Sequence, residues 1–148
     1  MGDELQEIRH RAIKLLAIRE HSRLQLARKL GDRGYGSDEV DAALGQLARE
    51  GLQSDERFTE SFIRSRIERG QGPIRIAAEL RERGVDDSLI SDHLDFSDPQ
   101  WQQQVVEVRR KRFGATPPDD YHARAKQARF LQYRGFTSEQ IRRVLNQD

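Results

Sequence analysis

Arginine is the side chain in this sequence best equipped to recognise something. Of 26 basic residues, 22 are arginine and 4 lysine. The guanidinium fork matches phosphate and carboxylate two-pronged, which the lysine ammonium does not; a genome that favours arginine codons gives the same bias. Two groups stand out. Arg64, Arg66, Arg69 and Arg75 lie within one short stretch, and Arg109-Arg110-Lys111-Arg112 is a four-residue basic run. Successive positions on a helix point in different directions, so at most two or three of that run reach one phosphate track. A solvated helix surface is the competing reading. Each phosphate neutralised would steepen log K against log salt by about 0.7–0.9. Phe58, Phe62 and Arg66 are spaced i, i+4, i+8, as are Trp101, Val105 and Arg109. A guanidinium on such an apolar stripe needs an acid from the next module, a stem that carries its head to water, or a ligand in a groove.

Other chemistry has little to work with. His10, His21, His93 and His122 follow no metal-ligand spacing and read as surface histidines. Gly70-Gln71-Gly72-Pro73 lacks the lysine and hydroxyl of a phosphate loop and reads as a turn. With no cysteine, thiol nucleophiles and thiolate metal sites are excluded. No enzyme activity, metal or cofactor is expected. The net charge of +1 hides an asymmetry: residues 1–100 hold 16 basic and 20 acidic side chains, and residues 101–148 hold 10 and 5. A two-signed chain suits a partner of both signs, such as a protein already bound to nucleic acid. Asp86, Asp87, Asp92, Asp95 and Asp98 would repel a nucleic-acid strand and suit a basic protein surface. Trp101, on an apolar face, reads as core.

The elements that position these residues repeat. Ala27–Tyr35, Ala77–Val85 and Ala128–Phe136 each read Ala-x-x-Leu-x-x-Arg-Gly-apolar, at spacings of 50 and 51 residues. A glycine just past a helix, with Leu three positions inside and an apolar residue after it, is a Schellman ending: Leu30 with Tyr35, Leu80 with Val85, Leu131 with Phe136. The phrase thus reads as frame. Thr137 to Gln140 is a capping box, and Ser37 and Asp86 or Asp87 are expected to cap the equivalent starts. Val40/Leu44, Ile90/Leu94 and Ile141/Leu145 mark the helices that follow. Upstream, Asp55 and Asp98 are expected N-caps, with Pro99 at its favoured first position, and Ile8 to Arg19 is the first helix. The fold class is all-α: three tandem three-helix repeats over 1–53, 54–97 and 98–148. They are expected to form an elongated, curved array about 60 Å long. No run approaches a membrane span and no leader opens the chain, so a cytoplasmic monomer is expected.

The run Asp55-Glu56-Arg57-Phe58, Phe62 to Arg66 and Gly70 through Val85 resembles the signature of the RecX regulatory family. Ala12 to Leu16 with His21-Ser22, and Arg129 to Phe136, resemble its two ends. The resemblance implies three tandem three-helix modules and a regulator that binds the RecA recombinase filament on single-stranded DNA. It implies lying in the filament groove and limiting filament growth, ATP hydrolysis, strand exchange and co-protease activity, with DNA contacted weakly or through the filament. It carries no catalytic residues; its conspicuous positions match Phe58, Phe62, Arg64, Arg66 and Arg75, the two Phe being structural. Candidate contacts are Arg64, Arg66, Arg69, Arg75, Arg109, Arg110, Lys111 and Arg112. A plain single-strand-binding module and a helical scaffold for another protein are the other readings.

Overall fold

The computed structural model describes residues 2–146, which form nine helices and no strand. The first three are α1 (Gly2–Ile18), α2 (Arg23–Asp32) and α3 (Ser37–Arg49); then come α4 (Asp55–Glu68), α5 (Pro73–Glu82) and α6 (Asp87–His93). The last three are α7 (Gln100–Phe113), α8 (Tyr121–Arg134) and α9 (Ser138–Leu145). None of the described helices is long and apolar enough to cross a membrane. Packing divides the chain into two units: residues up to 62 with 80–89, and residues 63–79 with those from 90 onward. Both α4 and α5 therefore contribute to each.

In unit 1, the i, i+3, i+4 spacing closes a core from three helices: Ile8 and Ala12 of α1, Leu26 and Leu30 of α2, and Val40, Ala43, Leu44 and Leu47 of α3. The first helix starts at Gly2, several residues before the expected Ile8, and Leu5 joins its packed face. Ser22 caps α2 in a capping box with Gln25, and its hydroxyl also donates to the Arg83 carbonyl over 2.7 Å. Two expected caps are corrected. Asp55 is the first residue of α4, where Ser54 Oγ accepts from the Arg57 amide; the Asp55 carboxylate instead accepts from the Arg23 amide at 2.9 Å, at the start of α2. Ser37 is likewise the first residue of α3, whose N-cap is Gly36. His21 is also corrected: it is 1% exposed, not a surface residue. Its Nδ1 lies 3.0 Å from the Arg19 carbonyl and its Nε2 3.3 Å from Lys29 Nζ. A neutral ring protonated on Nδ1 satisfies both, and burial lowers its pKa from the ordinary histidine value.

In unit 2, α9 packs on α7 and α8. Trp101, Val105, Leu131, Phe136, Ile141, Val144 and Leu145 are buried there, as is Ile76 of α5. A third expected cap is corrected: α7 begins at Gln100 with Pro99 as its N-cap, so Pro99 is not the first helical residue. Asp98 lies one position further out, its Oδ1 accepting from the Gln100 amide at 2.9 Å. Thr137 with Gln140 closes the capping box of α9.

The Schellman bonds form in the second and third repeat phrases: Val85 N to Leu80 O (3.1 Å) with Gly84 N to Arg81 O (3.0 Å), and Phe136 N to Leu131 O (3.2 Å) with Gly135 N to Gln132 O (3.0 Å). These two glycines do more than end helices. A Cβ on Gly84 would fall 2.7 Å from Leu24 Cβ, and one on Gly135 would fall 2.4 Å from Arg75 Cβ. In each case the phrase abuts the middle helix of the preceding module. The Gly72 and Ile74 amides complete the second joint by donating to the carbonyls of Arg134 and Gly135 at 2.7 and 2.9 Å. Gly34, in the first module, faces open space.

Candidate functional site

The basic run closes α7, and the 100° step of the helix sends its members to different fates. Arg109 is 7% exposed; its Nε donates to Gln127 Oε1 over 3.0 Å and its Nη2 to the Thr116 carbonyl over 2.7 Å. It is withdrawn from solvent, which corrects its place among the candidate contacts. Arg110 is exposed and grips Glu107 with two bonds of 3.2 and 2.6 Å. That hydrogen bonding holds the Glu107 carboxyl below its usual range and raises Arg110. Lys111 and Arg112 turn to a cleft.

The cleft, about 250 Å³ and open to solvent, is bordered by the end of α4, by α7 and by α8. Arg69, Lys111, Arg112 and Arg134 bring four cations to it, against Glu68 and the already engaged Glu107. Its aromatic element is Phe130. The Arg134 guanidinium stands 5.0 Å from the centre of that ring and the Arg112 guanidinium 5.4 Å, while Phe113 meets it edge-on at 5.4 Å. Stacking orients a guanidinium by its face and leaves its N–H edge able to meet an anion. Arg134 Nη1 also donates to the Arg69 carbonyl at 2.8 Å, which joins α8 to the end of α4. The arrangement offers cations beside an aromatic ring, the chemistry that backbone phosphate and an unstacked base require.

The middle-module arginines behave differently. Arg66 Nε and Arg75 Nε approach the two oxygens of Glu79 at 3.2 and 3.3 Å. The acid that the apolar-stripe position of Arg66 demanded thus comes from the same module and not the next. Arg75 also lies over the Tyr133 ring, 5.1 Å from its centre. Arg64 and Arg69 are exposed. Of the eight sequence candidates, the cleft gathers Arg69, Lys111 and Arg112; Arg66 and Arg75 share one carboxylate, Arg64 and Arg110 lie on the surface, and Arg109 is interior.

Arg134 and Phe130 are cleft residues that the sequence reading did not select. Arg134 is the arginine of the third repeat phrase, read there only as frame. The signal was an aromatic four residues before it, an i, i+4 pair on one helix face. In the second phrase Arg83 makes the same kind of contact, 4.8 Å above Phe62.

Family models fit three successive parts of the chain: the first RecX three-helix domain over residues 9–47, the second over 54–94 and the third over 98–145. The chain belongs to the RecX family. A protein named Regulatory protein RecX from Halorhodospira halophila is 49% identical over 95% of this chain and 88% of its own length. Another of that name, from Pseudomonas entomophila, is 45% identical over 94% and 90%. Among solved structures, a RecX from Lactobacillus salivarius superposes with a TM-score of 0.82 at 21% identity, covering 97% of this chain and 96% of its own. A second crystal structure of a regulatory protein RecX gives 0.83 at 21% identity over 99% of this chain and 73% of its own. The family fold, all-α with three tandem three-helix repeats, is the fold of this chain.

Proposed function

We propose that this chain is a non-catalytic regulator of the RecA recombinase, binding its filament on single-stranded DNA and lowering its ATPase, strand-exchange and co-protease activities. The observation that carries the reading is family membership over nearly the whole chain, with 49% identity to a relative named a regulatory protein. The three modules, of residues 1–53, 54–97 and 98–148, lie in the filament groove and bridge neighbouring recombinase subunits. Bound there, they hinder subunit exchange or the motions that accompany ATP turnover. The cleft of Arg69, Lys111, Arg112 and Arg134 around Phe130 supplies the contact with the DNA strand, and exposed Arg64 adds to it. A filament ATPase assay tests the reading: inhibition at substoichiometric protein is expected, and unchanged hydrolysis at excess protein overturns it.

The stacked guanidinia on Phe130 favour a second reading, a single-strand-binding module that acts without recombinase. Pull-downs with DNA alone, recombinase alone and the assembled filament separate the two. Capture by the filament well above the others supports the first, and equal capture by bare DNA supports the second.

A further inference from the structure

Unit 1 carries a concentration of basic side chains that the proposed function leaves unused. Arg11 and Lys14 of α1 and Lys29 and Arg33 at the end of α2 line one cavity of about 570 Å³. Asp32 is the acid among its lining residues, and Glu7 stands 3.9 Å from Arg11 at one side. This inverts the local trend, since residues 1–100 hold 20 acidic side chains against 16 basic.

Two of the four cations are held in place. Buried His21 turns Nε2 toward Lys29 Nζ at 3.3 Å, and Arg11 Nε donates to the Tyr35 hydroxyl over 2.8 Å. A cation already positioned loses less freedom when a ligand arrives. The remaining lining is aliphatic: Leu15, and Ile18, which is 80% exposed as α1 ends. No aromatic ring lines the cavity, so a nucleic-acid strand would find phosphate partners without a stacking surface and would leave Ile18 in water. A ligand that uses both features pairs carboxylates with a bulky apolar group. We infer that this cavity docks an acidic protein segment bearing a large apolar side chain, which Leu15 and Ile18 receive while Arg11, Lys14, Lys29 and Arg33 meet the carboxylates. The inference stands independently of the recombinase reading.

Fluorescence anisotropy on the full chain tests it. The probe is a short fluorescein-labelled peptide of glutamates around one leucine, compared with an all-glutamate peptide and with oligothymidylate of equal charge. Lys14, Ile18 and Arg33 are exposed, so changing them leaves the fold intact, and an unchanged thermal melt establishes this for each variant. The expected result is tighter binding of the leucine peptide, weakened about tenfold by Lys14→Glu with Arg33→Glu. Ile18→Ser brings it down to the level of the all-glutamate peptide. Equal affinity for the two peptides, binding indifferent to the charge reversals, or displacement by oligothymidylate at lower concentration than by unlabelled peptide overturns it. The last result would assign the cavity to nucleic acid.

Discussion

The Arg109 guanidinium donates to the side-chain oxygen of Gln127 over 3.0 Å, in the interior of unit 2. Its second bond, to the Thr116 carbonyl, ties the segment between α7 and α8 to both helices. Both of these partners are neutral. The most basic four residues of the chain thus contain one interior strut, one cation matched to Glu107, and two cleft residues. Counting charges along the sequence overstates what the run offers to a ligand.

Arg109→Met keeps much of the stem's volume but removes the donors from two acceptors. Gln127 is buried, so leaving its Oε1 unmatched costs about 1–3 kcal/mol, whereas the carbonyl of exposed Thr116 can turn to water. A fall of that size in stability is expected from urea unfolding followed by circular dichroism, with Arg109→Lys intermediate. The salt dependence of nucleic-acid binding should not change, because Arg109 is 7% exposed.

Gly34 and Gly135 occupy equivalent places in the repeat, with φ of 93° and 101°. Alanine at either position pays the left-handed backbone penalty, about 1 kcal/mol. At Gly34 nothing else is touched. At Gly135 the new Cβ would also sit 2.7 Å from the Arg75 backbone nitrogen, which cannot swing aside as a side-chain tip can. Gly135→Ala is therefore expected to destabilise by several kcal/mol and Gly34→Ala by about 1. Equal melting temperatures for the two variants would show that the joint yields freely.

The contrast between those glycines also marks how far the sequence was legible. Helix endings and apolar faces could be read because they depend on neighbours a few residues away: Leu131, Gly135 and Phe136 form one local motif. Partners from other elements could not be read so directly. Asp55 has the right residue type to cap α4, yet its carboxylate serves the Arg23 amide, 32 residues earlier. Arg66 plainly needed an acid, but only packing selects Glu79. His21 lies between Glu20 and Ser22, so no apolar neighbour announces its burial. The cleft was half legible. Lys111 and Arg112 stood out as charge, whereas Phe130 and Arg134 were hidden within a phrase that has a sufficient structural reason of its own.

Protonation of His21 supplies a pH test. Burial lowers its pKa in the folded chain, with the nearby charges of Arg19 and Lys29 acting in the same direction against the Arg19 carbonyl and Glu20. The unfolded chain, with an ordinary value of about 6.5, therefore binds the proton more readily. Its contribution to stability is complete above about pH 6.5 and is lost as the pH falls through that value toward the folded pKa. The added proton would also occupy the Nε2 that accepts from Lys29. Chemical denaturation between about pH 7.5 and 5 should show this loss, and His21→Gln should flatten the slope in that window. An unchanged slope in the variant would remove His21 as its source.

Arg110 and Lys111 are adjacent, yet they should differ as DNA contacts. Arg110 is already neutralised by Glu107 through two hydrogen bonds, and Lys111 lines the cleft with Arg69 and Arg112. If a single strand follows that cleft, Lys111→Ala removes one phosphate contact and lowers the slope of log K against log salt by about 0.7. Arg69→Ala should do the same. Arg110→Ala should change the slope by much less, since Arg110 is matched to Glu107 and holds no phosphate whose counterion its loss would return. Titrations of labelled oligothymidylate, bare and within the recombinase filament, at several salt concentrations measure all three. Slopes that fall equally for Arg110→Ala and Lys111→Ala would mean that the strand runs over the outer face of α7 and not through the cleft.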